Sequence, residues 1–492
     1  MIPFGEWLPD QSDFQNPGAT VAKNVIPAAR GYRPFQGLTT VSAAADNRLR
    51  GIYATKATDG TVNIFTGDQA KLYKLDNSDF SLDAVGTGFT VNSDMNWDFV
   101  RFGDDVIAGG SDADVLRKYT VGTSSSFAAI SGAPAARHIA VVRDFVVTAN
   151  VTYSSASHRS RVRWSQINDA GTWTLGANQA DFQDIPDAGH ITGMVGGEFG
   201  VVLLERAIAR MQYVGSPLIF TFEKVETGHG CNYPNSVASL GPTQVFYLAD
   251  DGFFMFDGQR SIPIGAEKVD TFFFDDLKFA DSDRISCTID PENQIVIWSY
   301  PSTASTTGDP DKMLVFNYAV QRWSLIELEH EFIGSSLTPS FTVESLDTLS
   351  SNIDNLTTSL DSRFYAGGFL SLSASKDKKL HTLTGATLDA TLETSEFEPA
   401  TMRHSLLKGV TPYITSKDST PTVTVQVGSR SRQIDDASYT DSVAINDDNS
   451  CPVRQSGRYH RIRVNASGTW RYALGVDVDA VGMGRRCPIL IM

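Results

Sequence analysis

The sequence predicts an all-β protein: a β-propeller-like repeat of about six or seven blades with an additional C-terminal β-sandwich. Three observations carry this reading. Short apolar runs are punctuated by Asp-Gly turns, aromatic residues recur at a spacing near 45, and residues 396–492 switch to alternating apolar and polar side chains.

The strand runs are short and rich in β-branched and aromatic residues. Val62-Asn63-Ile64-Phe65 and Leu72-Tyr73-Lys74-Leu75 flank the turn Gly67-Asp68. Val245–Ala249 runs into Asp250-Asp251-Gly252, then Phe253–Phe256, then Asp257-Gly258. Gly tolerates the positive φ that such turns need, and Asp can bond its own backbone. Tyr73, Tyr119, Trp164, Tyr213, Phe256 and Phe316 recur at intervals of 46, 45, 49, 43 and 60. The last interval holds Pro301–Pro310, which reads as an inserted loop, and Leu380-His381-Thr382-Leu383 echoes Leu72–Leu75 as a further unit. A four-stranded blade takes roughly 40–50 residues and cannot bury both faces alone, whereas a closed ring of blades can. A string of hairpins packed as sandwiches is the competing reading.

Residues 1–45, with Pro17, Pro27 and Pro34, read as an extended N-terminal arm; 46–395 as the propeller-like domain, with inserted loops at 301–310 and 335–361; and 396–492 as the sandwich, on runs such as Thr422–Val427 and Arg461–Val464. Within 345–361, Leu346, Leu349, Ile353, Leu356 and Leu360 are spaced 3, 4, 3, 4 and would line one helix face. They are candidate inter-subunit contacts; the Ser, Thr, Asn and Asp between them equally suit a surface loop packed on its own domain.

The chain has 492 residues, 41% of them hydrophobic, which allows more than one core. Its net charge of −16 argues against a sequence-independent grip on DNA. No basic start with an apolar stretch marks an export signal, and no apolar run is long enough for a spanning helix, so no membrane anchor is expected. Cys231, Cys287, Cys451 and Cys487 lack C-x-x-C spacing and read as free thiols of a chain folded in a reducing cytoplasm.

Catalytic, cofactor and metal motifs are missing. There is no phosphate-binding loop, no nucleophile elbow and no close His pair among the eight histidines, so neither enzyme activity nor a cofactor is expected. The adjacent pairs Asp104-Asp105, Asp250-Asp251 and Asp275-Asp276 would point to opposite faces of a strand, unlike a glycosidase pair. Asp169-Ala170-Gly171-Thr172-Trp173 resembles the Asp-box turn of sialidase-type propellers, but occurs once and departs by one residue. Arg454, Arg458, Arg461, Arg463, Arg471, Arg485 and Arg486 cluster near the end, as a patch for phosphates or an acidic partner, or as a solvated face balancing an acidic chain.

Several stretches occur together in one order. They are Arg163-Trp164-Ser165, Trp173, Phe182-Gln183-Asp184, Ile191–Gly197, Glu205–Ile208, Met211–Gly215, Gly228–Cys231, Asp250–Gly258, Ile262–Gly265, Ser359–Arg363 and Gly457–Arg461. This order resembles the tail tube, nozzle or hub proteins of short-tailed bacteriophages, related to the packaged-DNA stabilisation protein. The resemblance covers most of the chain and is densest from about 160 to 270. It implies a propeller-bearing virion subunit, folded in the host cytoplasm and assembled as a homo-hexamer in the tail, below the portal and adaptor. Such a ring extends the DNA channel, retains packaged DNA without reading its sequence, and docks fibres or spikes. The alternative is a carbohydrate-active propeller enzyme or an adhesin acting on host surface glycans; acidic residues converging at the propeller centre would favour the enzyme.

Overall fold

The structure is a computed structural model that describes residues 1–12, 16–342, 345–346, 363–416 and 420–483. Seven antiparallel sheets follow one another along the described chain, each built around four strands; in the first six these run in chain order. Blade one is Ile52–Lys56, Val62–Gly67, Lys71–Leu75 and Leu82–Thr87. Blade two is Asp98–Phe102, Asp105–Gly109, Arg117–Thr120 and Ala128–Ala129; blade three is Ala135–Val142, Phe145–Tyr153, Ala156–Trp164 and Asp181–Asp184, with Ser111–Val115 beside its first strand. Blade four is Ile191–Val195, Gly200–Leu204, Ala207–Gly215 and Ile219–Thr227; blade five is Ala238–Ser239, Val245–Leu248, Phe253–Phe256 and Ser261–Pro263. Blade six is Ser286–Asp290, Ile295–Tyr300, Lys312–Asn317 and Arg322–Glu327. Blade seven is Phe332–Leu337, Leu370–Lys376, Lys379–Thr382 and, from the N-terminal region, Thr39–Thr40.

The core explains why the blades need one another. Each junction between successive blades has its own buried cluster: Phe65 and Leu72 with Val106 and Tyr119 between blades one and two, Ile107 with Val146 between two and three, and Val147 and Trp164 with Val202 and Met211 between three and four. Val201 and Ile208 meet Tyr247 and Phe256 between four and five. Phe246 and Phe253 meet Trp298 and Trp323 between five and six, and Ile297 and Val315 meet Ile333 between six and seven. Leu380 of blade seven closes the circle on Val62 and Ile64 of blade one. A fully buried side chain of this size contributes about 1.5–3 kcal/mol, so the ring has no free face to leave open.

Tyr73, Tyr119, Trp164, Tyr213, Phe256 and Phe316 all fall in the third strand of their blades, and His381 falls in the third strand of blade seven. The aromatic recurrence therefore marks one structural position, and the count is seven. Residues 301–310 lie between the second and third strands of blade six, whereas 335–337 belong to the first strand of blade seven.

The described residues of 1–45 are woven into the body. Phe4, Trp7, Val25, Tyr32 and Phe35 are buried. Val21–Lys23 lies between the last strand of blade six, paired at Lys23 with Leu325, and Ala390–Glu393. Thr39 and Thr40 pair with Thr382 and His381 and complete blade seven. Pro27 and Pro34 sit in a short hairpin, Val25–Ala28 with Gly31–Pro34, at a sheet margin where a missing N–H is tolerated. Asp10 accepts the Thr271 and Phe272 N–H groups at 2.9 and 2.7 Å, at the start of the helix Asp270–Asp276.

Through Val21–Lys23 the blade-six sheet continues as Ala390–Glu393, Tyr459–Ser467 and Thr422–Arg430. A second sheet, with Tyr472–Gly482 and Ser405–Thr415 inside it and Cys451–Gly457 at its edge, covers it. Leu407, Val410, Cys451 and Val476 of that sheet pack with Val423, Val425, Ile462 and Val464, which makes the C-terminal unit a sandwich whose strands begin at Ala390.

Candidate functional site: the central cavity and the buried arginines

The first strand of every blade contributes to one central cavity of about 700 Å³, from Tyr53 in blade one to Phe332 in blade seven. A propeller brings these strands together because each blade starts at the axis and runs outward. Among the described lining residues Asp98 is the only carboxylate. It accepts the Ile139 N–H at 2.9 Å, and burial pushes its carboxyl up to about 6. Arg137 is held away from it by two carboxylates, Asp112 at 2.8 Å and Asp94 at 3.0 Å. Arg101 donates to the Thr55 hydroxyl and the Lys56 carbonyl, both at 2.7 Å. Burial lowers His138 to about 4, keeping its imidazole neutral, and burial holds the Cys287 thiol well above its usual range. A thiol so protonated is a poor nucleophile. Asp98 also has no second lining carboxylate with which to share glycoside chemistry.

The adjacent aspartates serve structure. Asp276 accepts the Tyr300 hydroxyl at 2.9 Å and pairs with Lys312 at 2.8 Å, Asp104 lies 3.6 Å from Arg101, and Asp251 lies 3.3 Å from His229. The Asp-box-like segment is a turn: Asp169 accepts the Gly171 N–H and the Thr172 hydroxyl, both at 2.7 Å, and the Trp173 indole donates to Ala170.

The arginine cluster splits. Arg461 and Arg463 do share a face, and that face meets Glu393: Arg463 Nε lies 2.6 Å from Glu393 Oε2, and Arg461 lies within 4.0 Å of both Glu393 and Glu396. Arg430 grips Glu396 with two hydrogen bonds of 2.6 and 2.7 Å, and Arg458 pairs with Glu398 at 2.8 Å. Glu393 also accepts from the Thr20 and Tyr439 hydroxyls, each at 3.0 Å, so this polar cluster ties the N-terminal region to the sandwich. Arg454 and Arg471 are exposed. Arg485 and Arg486 lie outside the described residues, as do Cys487, Leu349, Ile353, Leu356 and Leu360. Leu346 is half-buried, and its N–H donates to the Thr342 carbonyl at 3.3 Å. Sequence reasoning found the arginines but missed their carboxylates, although Glu393, Glu396 and Glu398 stand close together; it also missed Asp98, Arg137 and His138.

Among the described residues no group of three or more His, Cys, Asp or Glu side chains could hold a metal ion. No described helix is long and apolar enough to cross a membrane. No family model and no curated protein matches the sequence. Among solved structures the chain is similar to the extracellular domain of a putative hybrid two-component system, BT4673, from B. thetaiotaomicron, at 10% identity and a TM-score of 0.43 over 86% of this chain. This chain spans about half, 48%, of that domain's length. It is also similar to a chain of a mitotic checkpoint complex (9% identity, TM-score 0.38, 73% of this chain and 97% of that one). A third likeness is to a putative 6-phosphogluconolactonase from Bacteroides uniformis (10%, 0.34, 56% and 85%). The scores are too low for any of these likenesses to carry a functional argument.

Proposed function

We propose that this chain is a structural subunit of a short-tailed phage virion, one wall segment of the tail tube or nozzle below the portal and adaptor. In this reading six copies form a ring that extends the DNA channel, retains packaged DNA and docks fibres or spikes. The sequence resemblance suggests the role, and the continuous ten-stranded sheet carries it furthest. Blade six, the N-terminal segment and the sandwich share one hydrogen-bonded sheet, so load entering the propeller passes into the sandwich without a hinge. A second support is electrostatic. Arg430, Arg458, Arg461 and Arg463 face the chain's own glutamates, which leaves a net charge of −16 without these cations as a phosphate clamp. Such a surface lets DNA pass with little friction.

The test is immunogold labelling of purified virions with an antibody raised against this chain. Gold at the tail, between the portal and the fibres, is the expected result. Labelled fractions with no gold at the tail would overturn the reading.

A further inference from the structure

On the propeller rim, between blades three and four, lies a groove of about 570 Å³. A broken ladder creates it. Asp181–Asp184 pairs only with Arg161–Trp164, and one further bond runs from the Ile185 N–H to the Ser160 carbonyl at 2.9 Å. Pro186 then has no N–H to give, and the chain turns away through Asp187 and Gly189, at φ 69° and 84°. Among the described residues no strand continues beside Ser157–Ser160 on the side away from Phe145–Tyr153, and this uncovered edge forms one wall.

Four basic side chains line the groove: His158 and Arg159 from blade three, His190 just before the first strand of blade four and Arg206 in the turn between its second and third strands. Arg159, His190 and Arg206 are exposed. No described side chain pairs with Arg159 or Arg206. No ion pair among the described residues joins either arginine to the carboxylates nearby. Asp184 is held by Arg161 through bonds of 2.7 and 2.8 Å, and Asp187 is exposed on the turn. Glu205 packs behind Gly189, where an added Cβ would lie 2.2 Å from its Oε2. Lys224, outside the lining, donates to the carbonyl of the lining residue Pro186 at 2.6 Å.

We propose that this groove is a binding site for a tetrahedral oxyanion group, phosphate or sulfate, held by Arg159 and Arg206. The guanidinium fork matches two oxygens of such a group, and the groove is lined by one such fork from each of two blades. The Ser157 and Ser160 hydroxyls and the two imidazoles supply further donors. The chain as a whole repels polyanions, so a local pair of uncompensated arginines stands out as a grip of short range. The same chemistry is offered by a free inorganic ion and by a phosphate or sulfate ester on a longer chain.

Isothermal titration calorimetry of the full chain at low salt tests the site, with inorganic phosphate in one arm and a sulfated oligosaccharide in the other. Binding at about millimolar affinity or tighter is expected in at least one arm. Arg159→Ala and Arg206→Ala should each weaken it about tenfold, while Arg432→Ala, an exposed arginine on the sandwich, should leave it unchanged. All three positions are exposed, so circular dichroism should show native folding. Much tighter binding of the oligosaccharide identifies an ester on a chain as the source; equal binding identifies the free ion. The absence of binding in both arms would overturn the proposal, and so would binding that survives the Arg159→Ala, Arg206→Ala double variant.

Discussion

Replacing Glu393 by Ala should be among the most damaging single changes outside the apolar core. Its side chain is 2% exposed and Arg461's is 11% exposed, whereas Arg463's is 32% exposed. The carboxylate receives Arg463 at 2.6 Å and two hydroxyls at 3.0 Å, with Arg461 at 4.0 Å. Removing it takes one carboxylate from the buried Arg461, and Glu396 beside it is already engaged by Arg430. Breaking a buried pair from one side costs about 3–5 kcal/mol, because the remaining charge is stranded in a poorly solvated place. Arg463 is partly exposed and can turn to water, which places the expected cost near the lower end of that range. Glu393→Gln keeps an acceptor for Thr20 and Tyr439 and should cost about 1–3 kcal/mol. Equilibrium denaturation in urea, followed by tryptophan fluorescence and far-UV circular dichroism, measures both variants. Adding Arg463→Met to Glu393→Leu should recover part of the loss, since an apolar pair carries no desolvation penalty. Raising salt should change little, because the cluster is shielded from counter-ions. A cost below about 1 kcal/mol for Glu393→Ala would refute the reasoning and mean that the cluster contributes no more than a surface pair.

Other outcomes follow from the same structure. The Asp98 carboxyl titrates near 6 against a usual 3.8, so stability falls as pH rises between those values, by at most about 3 kcal/mol; Asp98→Asn should therefore stabilise the protein at pH 8 and have no such effect at pH 3.5, read by thermal unfolding at both. His330 and His460 are buried with folded values near 4 against 6.5, so their neutral forms favour folding and that stability is lost as pH falls from 6.5 through 4; His330→Gln should flatten the acid limb of the stability profile in the same assay. Gly31 sits at φ 97°, with the Ala473 carbonyl oxygen 2.0 Å from where a Cβ would stand, so Gly31→Val should cost about 1–3 kcal/mol and lower the melting temperature. Deleting 345–361 should leave the monomer's melting temperature unchanged and weaken ring assembly in mass photometry; normal assembly would make the segment only a loop.

What the sequence made legible is what local chemistry repeats. The six aromatics from Tyr73 to Phe316 recur because the third strand of each blade helps fill a junction with a neighbouring blade, and that demand leaves a period near 45 in the chain. Ring closure leaves no such trace. Thr39 and Thr40 meet Thr382 and His381 across most of the chain, and two threonines after a proline-punctuated stretch look like any loop. The helix Asp270–Asp276 is hidden for a related reason: three consecutive phenylalanines carry a β preference, and its start is bonded by Asp10, some 260 positions away. The central cavity is harder still, since each blade gives it a single strand and no one segment carries its pattern.

The arginines show where one-dimensional reasoning stops and what it nevertheless constrains. Alternation placed Arg461 and Arg463 on one face without saying whether that face looked at water, at phosphates or at the chain itself. Register decides it. Val464 opposite Leu392 continues the apolar face of the sheet, and the next pair, Arg463 opposite Glu393, necessarily falls on the other face. Across the other edge Gln426 stands opposite Arg463 and Gly428 opposite Arg461, so small or neutral neighbours leave room for both guanidinium groups to lean toward Glu393 and Glu396. A slip of one residue in that pairing would bury Arg463 in the sandwich and expose Val464. The apolar alternation that makes the sandwich thus also fixes which cations are neutralised internally, and a phosphate clamp built from Arg461 and Arg463 would require drawing them away from Glu393 and Glu396.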